Sequence, residues 1–341
     1  MSTEKLGIAV VGCGLIGQRR AEQAHAHAGT RLVAAADPNL ASATSVAQTH
    51  GALAFERWQD VLRDDVQIVV VATPNGFLKE IVCAALNAGK HVLVEKPMGR
   101  NLEEALAMKK AADSAGRRLK VGFNHRYHPA LMEAHDRYVA GAIGSFIHAR
   151  ARYGHGGRPG YEKEWRGNRE LAGGGELTDQ GVHVIDLLHW FKGAPPQQAF
   201  GYLQTGVWPL GDLEDNAFAL LRWQDGGLAS FHTAWTQWKN LFSFEVFGTE
   251  GSLVVEGLGR SYGTETLTVA LRKPEGGVPD MEIKTYEGPD ESWALEWADF
   301  IKGIESHASF LGEASEGVDV MRTLDALYRA DKTGAPVALK D

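Results

Sequence analysis

Cysteine is nearly absent from this 341-residue chain, where Cys13 and Cys83 are the only two. Two cysteines build neither a disulfide framework nor a zinc pattern, so a packed core in a reducing compartment has to hold the fold. No apolar stretch approaches the length of a membrane span, and no low-complexity tract or internal repeat interrupts the sequence. Basic residues are also in deficit: 35 lysines and arginines stand against 43 aspartates and glutamates, a net charge of −8. A nucleic-acid-binding surface needs a basic patch, so this balance argues against that class of partner. The chain enters its first apolar run without the pattern of a secretory leader, and a cytoplasmic location is expected. What remains is ordinary globular composition, 44% hydrophobic and 23% charged, at a length that suits two domains with separate cores.

Glycine, by contrast, is concentrated where it is informative. Gly12-Cys13-Gly14-Leu15-Ile16-Gly17 follows the apolar run Leu6–Val11, which reads as a strand, a tight turn and the start of a helix. Gly12 makes the turn, Gly14 lets the backbone approach a pyrophosphate, and Gly17 lets helix and strand pack closely. Amides at the helix start then face the phosphates, where the helix dipole favours negative charge. Glycines also serve ordinary βα turns. The pattern gains weight from Asp37, which ends a second apolar run, Leu32–Ala36. A carboxylate there accepts hydrogen bonds from the adenosine ribose of NAD and repels the 2′-phosphate of NADP. The motif therefore points to a dinucleotide, NAD before NADP. Cys13, inside the loop, reads as a small residue near the cofactor rather than a nucleophile.

The first third of the chain alternates with βαβ regularity. Apolar runs at 7–11, 31–36, 67–72, 90–94 and 119–123 are separated by helical patterns, notably 76–88 and 101–115. Asn101 is suited to cap the second of these, which stops before Gly116. Such alternation specifies an α/β fold, a doubly wound parallel Rossmann sheet over residues 1–123, with ligands at the carboxyl ends of its strands. Beyond it the pattern changes. Helical stretches at 129–140, 176–191, 292–306 and 317–332 accompany strand-like runs at 145–153, 217–223, 228–235, 242–247, 252–255 and 266–271. That succession predicts an α+β domain over residues 124–341, with a large, mostly antiparallel open sheet.

Three constellations can carry chemistry. Thr73-Pro74-Asn75 stands at the end of a strand, where cofactor contacts fall, though a plain turn looks the same. Glu95-Lys96-Pro97 follows the next strand; a lysine there can bind an alkoxide or orient a hydroxyl, and a surface lysine before a proline turn has the same sequence. The third is Gly173–His183. Asp179 and His183 are four apart, so on a helix they share a face, and Asp179, His183, Asp186 and Trp190 form one stripe. An amphipathic helix with its polar stripe in water would look alike. No further ligand cluster accompanies Asp179 and His183, so no metal site is expected. Histidine titrates near neutral pH and suits the base needed to oxidise a secondary alcohol, with an ammonium stabilising the alkoxide and a carboxylate orienting the groups.

With these residues assembled, the chain resembles the glucose–fructose oxidoreductase/inositol dehydrogenase (Gfo/Idh/MocA) family. The likeness runs from GCGLIG through ATPN, AGKHVLVEKP and VGFNHRY to GGGELTDQGVHVID, and on to RTLDALYRADKTGAPV. It implies catalytic roles for Lys96, Asp179 and His183. It also implies a nicotinamide cofactor lined by Gly12, Gly14, Leu15, Ile16, Gly17, Asp37, Thr73, Pro74, Asn75, Glu95 and Lys96. Many members carry a histidine three residues after the Asn of ATPN; Leu78 stands there, and no such role is carried onto it. The resemblance further implies a sugar, cyclitol or sugar-derivative substrate, and a homodimer or homotetramer formed through the open sheet. The loop 153–169 interleaves Arg158, Lys163, Arg166 and Arg169 with Tyr161 and Trp165. Aromatics suit a sugar face and arginines a phosphate or carboxylate, and equally these bases can pair with Glu162, Glu164 and Glu170. Trp165 and Arg166 are the candidates for substrate contact, beside Lys96, Asp179 and His183. Two other functions fit the same fold: a lyase or glycoside hydrolase that recycles NAD, and a non-catalytic NAD-binding sensor.

Overall fold

The runs Leu6–Val11, Thr30–Ala36, Ile68–Val71 and His91–Val94 are continuous in valine, isoleucine, leucine and alanine, the pattern of strands buried on both faces. The computed structural model describes residues 5–339 and makes these runs β1, β2, β4 and β5 of a six-stranded parallel sheet. With β3 (Leu53–Phe55) and β6 (Leu119–Val121), the strand order is β3-β2-β1-β4-β5-β6. The helices α1 (Leu15–Ala26), α2 (Leu40–His50), α3 (Leu78–Asn87) and α4 (Leu102–Ala115) connect them. Helix α4 shows why the boundaries fall where they do. The Asn101 side chain accepts from the Glu104 amide at 3.0 Å, and the helix closes on Gly116 at φ +61, a conformation that favours glycine. The expected doubly wound sheet is present.

The chain divides into two compact units, and the second begins at His125. It contains α5 (Pro129–Val139), β7 (Phe146–Gly154), the short α6 (Arg169–Ala172), α7 (Val182–Lys192), β8 (Gln198–Gln204), β9 (Asn216–Arg222), β10 (Leu228–Ala234), β11 (Leu241–Gly248), β12 (Gly251–Glu256), β13 (Glu265–Leu271), β14 (Asp280–Tyr286) and β15 (Val337–Ala338). The sheet runs β14-β13-β12-β11-β7-β10-β9-β8-β15 and is antiparallel except where β7 and β10 pair in parallel. Its strands alternate, as in β9, whose residues are buried and exposed in turn. Helix α5 packs on β12, β13 and β14, and α7 on β7. Tyr202, Phe218, Leu220, Leu228, Met281 and Ile283 are each more than half exposed.

The division at 123/124 read from the sequence leaves Trp293–Val318 in the second domain; the structure packs that segment in the first unit. On α8 (Ser292–Ser306), Trp297, Phe300 and Ile301 join Ile8, Val10 and Ile68 in one core, together with Phe310. The last long helix, α9 (Ala314–Thr333), carries the chain on into the second unit. Among the described residues, no helix is long and apolar enough to cross a membrane.

Candidate active site

The register of the first sheet brings the candidate cofactor residues to one level. Val11 pairs with Ala36 and Val71, and Val71 with Val94, so Gly12, Asp37, Thr73 and Glu95–Lys96 leave the carboxyl edge together. The strand order reverses between β1 and β4, the switch point where such sheets bind ligands. Each glycine has its own reason. Gly12 has φ +89, and a Cβ there would sit 2.5 Å from the Ala72 carbonyl oxygen; at Gly17 it would sit 1.7 Å from the Gly12 oxygen. At Gly14 nothing lies within 4 Å, so that position opens outward at the start of α1. Leu15 is 68% exposed beside it and Ile16 half-buried.

Asp37 is aimed by the backbone: one carboxylate oxygen accepts from the Cys13 amide at 2.8 Å, the other from the Asn39 amide at 2.8 Å. Burial and the adjacent Asp37 push the Cys13 thiol up to about 12, which keeps it protonated and unreactive. Thr73 Oγ1 is buried and finds no hydrogen-bond partner among the described residues, a cost that a bound polar ligand would remove. Pro74 leads into a turn at Asn75–Phe77, with Asn75 4% exposed. An open Gly14, an oriented Asp37 and an unsatisfied Thr73 hydroxyl fit the pyrophosphate and ribose of a dinucleotide. Leu78 is fully buried in the core.

The Glu95 carboxylate points to an internal partner. Arg20 on α1 is 1% exposed, and its Nε donates to Glu95 at 2.7 Å while Nη1 binds Glu296 of α8. Its guanidinium carbon lies 4.5 Å from the Trp293 ring centroid. Burial opposes the Arg20 charge, but Glu296 and Glu95 more than offset that, and its pKa is raised. Burial pushes the Glu296 carboxyl up. The half-buried Lys96 follows directly after this clamp.

In the second unit, the helix expected over 176–191 starts differently. Residues Leu177–Gly181 form a π-helical turn, and regular helix begins only at Val182. The polar stripe does not face water: His183 is 5% exposed and Asp186 0%, and α7 is buried on nearly every side. Asp186 binds Arg126 through both oxygens, at 2.9 and 2.6 Å. Trp190 stacks on His135 at 3.8 Å. His183 stacks face to face on His125, centroids 3.7 Å apart and planes 15° apart. Asp179 accepts from Arg166 Nε at 3.2 Å, and the Asp179 charge raises the Arg166 pKa.

The glycine triplet is explained by the protein's own packing. A Cβ on Gly175 would meet the Glu214 carbonyl at 2.1 Å, and one on Gly174 the Tyr328 hydroxyl at 2.1 Å. That closeness lets buried Glu214 accept from the amides of Gly175 and Leu177 at 3.0 and 3.1 Å and from the Tyr328 hydroxyl at 2.7 Å. The turn bearing Asp179 is thereby fixed from below.

The loop before it is paired rather than free. Arg158 forms a two-bond pair with Glu164, both at 2.8 Å, Arg169 binds Asp212, and Arg166 lies over the Trp165 ring at 4.5 Å while holding Asp179. Of the acidic partners expected from the sequence, Glu164 pairs with Arg158, while Asp212 holds Arg169 and Asp179 holds Arg166. Tyr161, Leu210, Leu213 and Trp235 form a small core beneath the loop, with Trp208 against it.

Sequence reasoning did not single out Arg20, His125, Tyr153, Glu214, Tyr262 or Tyr328. Tyr153 packs edge-on to His125 and His183, and Gln180 donates to the Tyr262 hydroxyl at 3.0 Å. These residues come from distant parts of the chain with no shared periodicity. VGFNHRY was the only local signal, and it held His125 and Arg126 in plain view.

Comparison with known proteins now places the chain. Residues 6–123 match the model described as an oxidoreductase family with an NAD-binding Rossmann fold, and residues 131–254 match the GFO/IDH/MocA C-terminal domain. The chain is 35% identical to a 1,5-anhydro-D-fructose reductase of Ensifer adhaerens over 79% of each chain. It is 29% identical to a levoglucosan dehydrogenase of Pseudarthrobacter phenanthrenivorans over 88% of this chain and 87% of that one. A solved structure of levoglucosan dehydrogenase with NADH and levoglucosan is similar at a TM-score of 0.89 and 25% identity, covering 99% of this chain and all of the other. Two matched models spanning most of the sequence, on the fold described above, make this chain a member of the Gfo/Idh/MocA oxidoreductase family.

Proposed function

We propose that this protein is an NAD-dependent dehydrogenase that oxidises a secondary alcohol of an uncharged sugar or cyclitol, or reduces the matching ketone. The carrying observation is how the reactive groups are supported. Arg20 and Glu296 lie buried around Glu95, the residue before Lys96, and buried Glu214, with half-buried Tyr328, holds the Gly175 and Leu177 amides at the turn that bears Asp179. Burying charge is costly, and a surface loop or a sensor that had lost its chemistry gains nothing from it. This favours catalysis over a non-catalytic sensor, and nothing in the site favours an NAD-recycling lyase.

Asp37 supports NAD over NADP, because its carboxylate would face a 2′-phosphate. Gly12, Gly14, Leu15, Ile16, Gly17, Thr73, Pro74 and Asn75 would hold the dinucleotide. Bound there, the nicotinamide supplies the hydride acceptor. His183 takes the hydroxyl proton, Lys96 stabilises the developing alkoxide with its ammonium, and Asp179, held by Arg166, hydrogen-bonds the hydroxyl. Glu95 serves this scheme by fixing the segment that carries Lys96. Trp165 offers an apolar face to the sugar, and Arg166 its remaining donors. Because Arg158, Arg166 and Arg169 each already hold a carboxylate, a phosphate would have to compete for them, which favours a neutral substrate.

The outward apolar face of the second sheet supports a homodimer or homotetramer. A groove of about 460 Å³ crosses it, lined by Phe200, Leu220 and Leu228 among others, and exposed patches of this kind mark interfaces. The test of the chemistry is His183→Ala: kcat should fall about 10²–10⁴-fold with NAD affinity nearly intact. Turnover equal to wild type would reject His183 as the base.

A further inference from the structure

The hydroxyls of Tyr153 and Tyr262 and the amide of Gln180 form one polar group beside the candidate catalytic residues. Gln180 follows Asp179 in the π-helical turn and is 7% exposed. Its Nε2 donates to the Tyr262 hydroxyl at 3.0 Å. Tyr153 of β7 is buried, with its ring 5.0 Å from that of Tyr262 and 6.2 Å from that of His183. Its hydroxyl is hydrogen-bonded to the Tyr262 hydroxyl. Tyr262 is half-buried, the least enclosed of the three and the one a ligand can reach. Burial pushes the Tyr262 phenol up to about 12 and raises the Tyr153 phenol as well, so both keep their protons at neutral pH.

Donors and acceptors in this group do not balance. A phenol has one proton and two lone pairs, and a side-chain amide has two protons on nitrogen and an accepting oxygen. Gln180 offers Tyr262 a proton and not an acceptor, and two phenols can spend only one proton on each other. The second phenol proton finds no acceptor among the described residues. Gln180 Oε1, bonded to the same carbon as the engaged nitrogen, is buried and has no partner among them either. One donor and one acceptor are left open side by side.

The segment that carries Tyr262 is built to hold it. In the β12–β13 connection the Tyr262 amide donates to the Leu258 carbonyl at 3.1 Å, and Asn240 Nδ2 donates to the Ser261 carbonyl at 2.7 Å. Arg260 takes φ +62, a conformation uncommon outside glycine. Backbone strain of this kind gathers at ligand sites, as do single π-helical turns.

We propose that Gln180 and Tyr262 form a subsite for one non-reacting hydroxyl of the substrate, which donates to Gln180 Oε1 and accepts from the Tyr262 O–H. The subsite rests on the reading of Asp179 and His183 as the groups that act on the sugar. A hydroxyl fits because it donates and accepts at once. A ring oxygen, a ketone or a phosphate dianion only accepts, and would leave the buried Gln180 oxygen unpaired. Tyr153 is a positioning residue that fixes the Tyr262 ring and occupies its hydroxyl from the other side.

Steady-state kinetics of the full-length protein with NAD tests this. The substrates are the free aldose, anhydrosugar or cyclitol that wild type oxidises with the highest kcat/KM, and its monodeoxy analogues. Tyr262→Phe keeps the ring packing and removes only the hydroxyl. It should lower kcat/KM about 10–100-fold with the NAD Kd unchanged. One monodeoxy analogue, lacking the hydroxyl that is read, should lose about the same factor in wild type and nothing further in the variant. The other analogues should keep the full difference between the two proteins, and Gln180→Met should single out the same analogue. An unchanged kcat/KM in Tyr262→Phe overturns the proposal. So does a loss of equal size with every analogue, the mark of a structural effect. Failure of the dehydrogenase reading looks different: wild type then reduces no NAD with any neutral sugar or cyclitol, and the subsite falls with it.

Discussion

Replacing Arg20 with Met removes the cation that two buried carboxylates share while keeping most of the side-chain volume. Arg20 is 1% exposed, donates to Glu95 at 2.7 Å and binds Glu296, whose side chain is fully buried. Its loss leaves the two acids without the guanidinium between them, with Lys120 the remaining cation acting on Glu296, and breaking a buried ion pair in this way costs about 3–5 kcal/mol. The contact with the Trp293 ring at 4.5 Å goes as well. At about 2–4 °C per kcal/mol for domains of this size, the melting temperature should fall by roughly 10 °C at pH 7.5. The effect should depend on pH with a defined sign. Burial already raises the folded pKa of Glu296, and without Arg20 it rises further, so the folded variant binds a proton that the unfolded chain releases. That contribution is present below the ordinary carboxylate range and lost as pH rises through the folded value, so the deficit should shrink at acid pH. Differential scanning calorimetry across pH reads this directly. Adding Glu296→Gln should recover about half of the loss. A variant within 1 kcal/mol of wild type and flat with pH would refute the clamp.

Asp37→Ala should weaken NAD binding about tenfold and narrow the difference between NAD and NADP, measured by calorimetric titration; an unchanged NAD Kd would remove Asp37 from the cofactor site. Gly175→Ala places a methyl 2.1 Å from the Glu214 carbonyl and should cost about 1–3 kcal/mol, read from chemical denaturation, because backbone and not a flexible side chain must yield. Leu220→Lys, at a position 55% exposed on the outer sheet face, should lower the mass seen by light scattering without changing monomer stability by more than about 0.5 kcal/mol; an unchanged mass would move the interface elsewhere.

Five strands of the first sheet were readable because they are continuous apolar runs and its turns carry glycine for reasons that also hold elsewhere, whereas β3, three residues with none buried, was not. Strands at or next to the edges of the second sheet were harder. Asp280–Tyr286 is exposed at nearly every residue and carries no core-facing alternation, and Gln198–Gln204 is broken by Gly201. Neither was expected from the sequence. The π-helical turn at Leu177–Gly181 was invisible because a four-residue spacing reads as ordinary helix, while the force that bends it comes from Glu214, far along the chain. The same distance explains the histidine stack. His183 and Asp179 could be picked out, but the stack of His183 on His125 depends on how α7 meets the turn at Asn124–Tyr127. Segment 293–318 was misassigned because an amphipathic helix does not declare which core it will enter.

The most direct test of the central claim is nicotinamide absorbance on the purified protein with NAD or NADP and a panel of free aldoses, anhydrosugars, cyclitols, sugar phosphates and nucleotide sugars. NADH should form with an uncharged sugar or cyclitol, faster with NAD than with NADP. Turnover confined to phosphorylated substrates, or bound NAD with no reduction across the panel, would contradict a dehydrogenase of uncharged sugars.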